Sequence, residues 1–274
     1  MGKQKQTDAE QRKVLDGFMS WMTCDRDYSE NTVRSFMYAA ADFFQHFDEF
    51  DAVNCRKYVS MLMRSGRRAS TVNSRICGLS ALSRYLKVPV HIKHIKTPRK
   101  LYLDNVMSEQ EYNKLVNFLA GYDRKEYYFY VRILASTGAR ISEFLQMTWE
   151  DVVRGQVVLV GKGNKERLLF FPSGLQRDAR VFVESCHLRG RIAPVTDKSV
   201  RQAIRRMAVK AGVPVEKVHP HAFRHFFAKM FLRRSNDITM LADLLGHASL
   251  NTTRIYLQKS YDEQQREFNQ SVNW

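Results

Sequence analysis

Between Val14 and Leu86 apolar residues recur at helical spacing. Val33, Met37, Ala40, Phe44 and Phe47 fall three or four positions apart, which sets them on one helix face and predicts that this face is core. Ser29 stands where a cap for that helix belongs, and Ser65-Gly66 breaks the chain before a further helical stretch, Ala69 to Tyr85. A small helical bundle is the expectation for this part. Farther on, Ser108 followed by Glu111 forms a capping box that opens a second helical region. That region runs through Tyr127 to Ala135 and is interrupted at Gly138. The period then changes: Gln156 to Val160 and Glu166 to Phe171 are rich in Val, Leu and Phe, and Gly161-Lys162-Gly163-Asn164-Lys165 between them has turn chemistry, which predicts a β-hairpin. Helical patterning resumes from Ser199 to the end. The fold class expected is mainly α with a small β-hairpin, without internal repeats.

The stretch Lys87 to Lys100 carries Lys87, Lys93, Lys96, Arg99 and Lys100, has no carboxylate and is punctuated by Pro89 and Pro98. It reads as an extended basic linker, either a solvated tether or a strip that lies along a phosphate backbone. The division that follows is a helical domain over residues 1–88, a linker over 89–105 and a larger domain over 106–274.

Composition narrows the class. Hydrophobic residues make up 44% and charged residues 26%, the balance of a folded globular chain, and no run approaches the ~18 to 20 apolar residues of a membrane span. Met1 to Asp16 lacks the apolar core of a secretory signal, so a cytoplasmic location is expected. Cys24, Cys55, Cys77 and Cys186 are too dispersed for the close pairs of a zinc site, and reduced thiols are expected. Lys and Arg number 44 against 28 Asp and Glu, leaving a formal charge of +16 that favours a polyanionic partner, nucleic acid foremost, through long-range attraction and counterion release.

Five short stretches carry candidate chemistry, and each is weak by itself. Arg140 follows a glycine break at a helix start, where it is free to face a ligand or to serve as a surface arginine. Lys162 sits between glycines in the hairpin turn, as a solvated cation or as one that reaches a phosphate. His221 and Arg224 lie three apart, so on a helix they share a face. His219 and His225 flank that pair; His225 reads equally well as a structural histidine, and both stay outside the catalytic set. Gly246 resembles a helix C-cap, His247 follows it, and Tyr256 reads either as packed core or as a nucleophile. Together the set supplies two guanidiniums, a lysine, two imidazoles and a phenol, the parts that phosphoryl transfer at a DNA backbone requires.

The order of these stretches resembles the tyrosine recombinase family, also called phage-type integrases, over nearly the whole chain. Ala139-Arg140-Ile141-Ser142-Glu143, Gly161 to Arg167, Pro220-His221-Ala222-Phe223-Arg224-His225, Leu245-Gly246-His247 and Tyr256 look like its signature. Within the family the chain resembles the compact Xer-like members. The resemblance implies an N-terminal core-binding domain and a catalytic domain that clamp double-stranded DNA at specific recombination sites, as a homotetramer on DNA and a monomer when free. It implies that Arg140 and Arg224 hold the nonbridging oxygens of the scissile phosphate, that Tyr256 attacks phosphorus to form a 3′-phosphotyrosyl link, and that His221 accepts the phenol proton. Lys162 would protonate the leaving 5′ oxygen and His247 would hydrogen-bond the phosphate; no metal, ATP or other cofactor is called for. Glu143, three positions after Arg140, would orient it, stand exposed to solvent or form a structural salt bridge. Beyond that set, Arg67, Arg68, Thr71, Asn73 and Arg75 cluster around a helix start, as DNA-binding residues or as a solvated helix face, and Lys165 and Arg167 on the hairpin bring further cations to the backbone, although a strand turns successive side chains to opposite faces and only some can touch DNA. The sequence leaves open whether the resting site is assembled, because Tyr256 sits on a segment able to withdraw from the phosphate until neighbours dock. Tyr261, Phe268 and Val272 form a terminal stripe too short to be a core alone, which would dock on its own domain or be exchanged with a neighbouring protomer.

Overall fold

The computed structural model describes residues 2–97, 106–160, 166–246, 249–257, 265 and 268–272. The chain divides into two units, Met1–Arg99 and Lys100–Trp274.

The first unit is built from helices α1 (Gly2–Ser20), α2 (Glu30–Phe44), α3 (Ala52–Arg64) and α4 (Ala69–Leu86), with a single π-helical turn, Trp21–Asp25, continuing α1. Ser29 is the N-cap of α2 as expected, although its hydroxyl bonds that of Thr32 at 2.9 Å and not a backbone N–H. The buried face of α2 consists of Val33, Ala39, Ala40 and Phe43, with Met37, Phe44 and Phe47 half-buried at its margin. The face is turned because α4 approaches so closely. A Cβ on Gly78 of α4 would stand 2.5 Å from Cβ of Ala39 and 3.3 Å from Cα of Phe36, so only glycine admits this contact. Phe43 then becomes the hub of an aromatic cluster with Phe44, Phe47, Phe50 and Tyr58. Residues 88–97, read from sequence as linker, have no regular secondary structure, yet Val90, Ile92 and Ile95 pack on this core.

The second unit opens with α5 (Glu109–Ala120), whose capping box between Ser108 and Glu111 forms as expected. There follow α6 (Glu126–Thr137), α7 (Ile141–Phe144), α8 (Trp149–Arg154), strands β1 (Gln156–Val160) and β2 (Glu166–Phe170), and helices α9 (Ser173–Cys186), α10 (Asp197–Lys210), α11 (Pro220–Ser235), α12 (Ile238–Leu245) and α13 (Leu250–Thr253). The strands pair antiparallel, Val158 opposite Leu168, so the mainly helical fold with one hairpin is as expected. Residues 161–165, between the two strands in sequence, lie outside the described residues. Helix α6 is buried on several faces, from Tyr127 to Thr137, and α11 packs along it. A smaller core of Ala228, Leu232, Leu241, Leu245 and Tyr256 joins α11 and α12 to the segment after α13.

Candidate active site

Each side chain of the site is delivered by a helix end or a strand. Helix α6 stops at Gly138, in the left-handed conformation with φ of 61°, and the chain leaves it to make Arg140 the N-cap of α7. Helix α11 begins with His219 as N-cap, its Nδ1 accepting from the Ala222 N–H, and Pro220 in the first turn, where a missing N–H costs nothing. One turn in, the helix presents His221, Arg224 and His225. Helix α12 ends at Gly246, φ 62°, the C-cap the sequence indicates. Ser249 caps α13 by accepting from the Asn251 N–H, and a 3-10 turn, Arg254–Leu257, carries Tyr256 inward until it is only 4% exposed.

These elements bring three guanidiniums around one buried carboxylate. Glu143 accepts the Arg140 backbone N–H at 2.7 Å through Oε2, and Nη1 of Arg140 at 2.8 Å and Nη1 of Arg167 at 3.2 Å through Oε1. The backbone bond fixes the start of α7 and the side-chain bond aims Arg140, whose side chain stays 45% exposed. Arg224, 3% exposed, donates through Nη1 to the Gly138 carbonyl at 2.8 Å and through Nη2 to the Leu245 carbonyl at 2.6 Å. It also hydrogen-bonds the phenol of Tyr256. The nucleophile candidate is therefore not withdrawn: it rests against one of the two arginines, which answers the question that the sequence leaves open.

Burial and charge set the protonation states. Burial holds the Tyr256 phenol above its ordinary value of 10, with Arg224 and Arg140 opposing the rise. Partial burial, then Arg224 and Arg140, push His221 below 6.5, so it is a neutral acceptor at physiological pH. His225 is pushed down to about 4 by burial and by His221. Its ring touches those of His221, centroids 4.4 Å apart, and Tyr256, 5.2 Å apart, and its buried Nδ1 has no hydrogen-bond partner among the described residues. Sequence reasoning set His225 aside, although its spacing of four from His221 on a helix already placed both on one face.

Arg167 corrects an expectation. The sequence groups it with cations facing a DNA backbone, but the burial of β2 alternates so that Arg167 and Leu169 point inward and Glu166, Leu168 and Phe170 outward. Arg167 is 8% exposed, and burial pulls its guanidinium down to about 10, with Arg224 and Arg140 adding to the effect and Glu143 opposing it. Lys162, Lys165 and His247 lie outside the described residues.

In the first unit Arg67 and Arg68 are exposed between α3 and α4, Arg68 as N-cap of α4, while Thr71 and Arg75 are half-buried. The Arg75 guanidinium lies 4.0 Å above the ring of Tyr38, an exposed aromatic that the sequence did not single out. Asn73 is engaged elsewhere. Its Oδ1 accepts the Ile95 N–H at 2.8 Å and its Nδ2 donates to the Ile95 carbonyl at 2.9 Å, so the amide expected to read bases instead holds residues 88–97 onto their core. Among the described residues no group of His, Cys, Asp and Glu is arranged to hold a metal ion, and no helix is long and apolar enough to cross a membrane.

Comparison with known proteins places this geometry in context. Residues 105–263 match the model of the phage integrase family. The tyrosine recombinase XerA of Pyrococcus furiosus is 28% identical over 265 residues, covering 89% of this chain and 88% of the relative. Among solved structures, the XerH site-specific recombinase bound to palindromic difH substrate, a post-cleavage complex, superposes with a TM-score of 0.71 at 20% identity, over 90% of this chain and 81% of that one. A lambda integrase tetramer bound to a Holliday junction gives a TM-score of 0.70 at 16% identity, over 89% and 76% of the two chains.

Proposed function

This chain belongs to the phage integrase family, and from that premise we propose that it is a site-specific tyrosine recombinase that cuts and rejoins double-stranded DNA through Tyr256. The observation that carries this reading is the bond between the Tyr256 phenol and Arg224, which stands beside a carboxylate, Glu143, that Arg140 and Arg167 share. Such a cluster has positive charge to spare, and a phosphate with two nonbridging oxygens answers it.

In the proposed reaction Arg140, open to the surface, and Arg224, beside the phenol, bind the nonbridging oxygens and stabilise the charge that grows on them. Oη of Tyr256 attacks phosphorus, and the bond from phosphorus to the 5′ oxygen breaks. The phenol proton passes to His221, which is neutral and next to His225, while Lys162 protonates the leaving 5′ oxygen. His247 hydrogen-bonds the phosphate. A 3′-phosphotyrosyl link results, and attack by a 5′ hydroxyl from a partner strand reverses the step and releases Tyr256. The number of phosphodiester-type bonds is unchanged, so no ATP is consumed.

The first unit supplies further phosphate contacts through Arg67 and Arg68, with Thr71 and the Arg75–Tyr38 pair beside them. Phe268 is 61% exposed and Val272 36%, an apolar pair on the terminal helical segment that supports docking on a neighbouring protomer in a tetramer on DNA. Tyr261, the first member of that stripe, lies outside the described residues. The protein acts in the cytoplasm, on DNA.

The test is to incubate the protein and its Tyr256→Phe variant with supercoiled DNA carrying candidate sites from the flanks of its own gene, and to assay protein-linked and recombined strands. A tyrosine-dependent adduct with exchanged products is expected. An adduct with relaxation but no exchange would point to a nicking and resealing enzyme, and binding without any adduct to a DNA-binding regulator.

A further inference from the structure

Arg167 occupies a position that neither its burial nor the reaction explains by itself. Its Nη1 donates to Oε1 of Glu143, the oxygen that also accepts from Arg140, and to the carbonyl of Leu245, the oxygen that also accepts from Arg224. One nitrogen thus shares an acceptor with each of the two phosphate-binding arginines. The same side chain lies under the end of α12, where a Cβ on Gly246 would stand 2.8 Å from its Cδ.

A purely architectural arginine at such depth is ordinarily fully hydrogen-bonded. Here Nε and Nη2 are buried without a partner among the described residues, and the neighbouring charges are mostly of the same sign. A neutral side chain would fill the space with less repulsion. What the guanidinium provides is a common reference for two acceptors, Glu143 Oε1 and Leu245 O, which lie far apart in sequence and must keep a fixed spacing if Arg140 and Arg224 are to meet two oxygens of one phosphate.

Resting on the cleavage reading above, we infer that Arg167 is a positioning residue for strand cleavage: through Glu143 and the Leu245 carbonyl it sets the distance between the Arg140 and Arg224 guanidiniums. It touches neither phosphorus nor its oxygens, and its effect passes through the charge that those two arginines neutralise.

The experiment is single-turnover adduct formation on a nicked duplex carrying the mapped cleavage site, with either the natural phosphate or an uncharged methylphosphonate at the scissile position. Arg167→Met is expected to bind the duplex like the unaltered protein and to cleave the phosphate about 100-fold more slowly, the order seen when one preorganised donor is lost. On the methylphosphonate its deficit should shrink to less than about 10-fold, because a neutral centre asks less of the two arginines. Equal deficits on the two substrates would mark a merely structural role and overturn the inference, as would undiminished cleavage of the phosphate. Arg167→Lys answers for a Met variant that fails to fold: with duplex affinity intact, the same difference between substrates supports the inference and its absence overturns it. Should the unaltered protein form no adduct with the phosphate duplex, the cleavage reading fails, and this inference with it.

Discussion

Arg224 donates a 2.8 Å hydrogen bond to the carbonyl of Gly138, tying helix α11 to the chain two residues before Arg140. The glycine is required there twice over. Its φ of 61° is left-handed, and a Cβ would stand 2.6 Å from Cδ1 of Phe227. Gly138→Ala is therefore expected to lower stability by about 1–3 kcal/mol, the range for a strained backbone position. It should also displace the carbonyl that Arg224 uses, so cleavage should fall further than duplex affinity. Thermal unfolding and adduct formation measured on the same preparation would check both.

Glu143 is the one carboxylate that the described residues place among Arg140, Arg167 and Arg224. Glu143→Gln keeps its shape and removes its charge, leaving the buried Arg167 without a counter-ion. Breaking such a pair from one side costs about 3–5 kcal/mol. Chemical denaturation should show a loss of that order, and a variant as stable as the parent would mean that the cluster is not a coupled unit.

The histidines make stability depend on acid. His225 has its folded value at about 4 against an ordinary 6.5, so the unfolded chain takes up a proton that the folded chain refuses. Its contribution is fully present above 6.5 and declines as pH falls from 6.5 through 4; His219 and His221, also lowered, act in the same direction. His225→Phe should flatten part of this acid limb in a plot of melting temperature against pH. Cleavage should keep its own acid limb, set by His221, in that variant.

In the first unit two substitutions should behave differently. Arg67→Ala removes an exposed cation, and is expected to weaken duplex binding whatever the sequence while reducing the slope of log K against log salt by about 0.9. Asn73→Ala should leave sequence preference unchanged. It unties the Ile95 backbone and should destabilise the unit by about 1–3 kcal/mol, the cost of stranding buried polar groups.

Local chemistry made much of this structure legible beforehand. The Ser108–Glu111 capping box, the hairpin and the glycine ends at Gly138 and Gly246 depend on neighbouring residues, and each is found where the sequence indicates it. The inward position of Arg167 is not legible in the sequence because β2 carries apolar residues on both faces: Leu169 points in while Leu168 and Phe170 point out, so alternation gives a period without a phase. The tie of Asn73 to Ile95 is hidden because Ile95 lies in a stretch whose charge masks the apolar residues that anchor it. The core face of α2 shifted for a similar long-range reason, since only the folded chain brings Gly78 against Ala39.

Three like charges around one carboxylate make this a place where durability and activity pull against each other. Each guanidinium repels its neighbours, and neutralising one, Arg140 first because it is the most exposed, would ease the fold while removing a grip on the phosphate. Laboratory selection that rewarded heat resistance alone would accordingly drift toward hardy proteins that still hold DNA and no longer cut it.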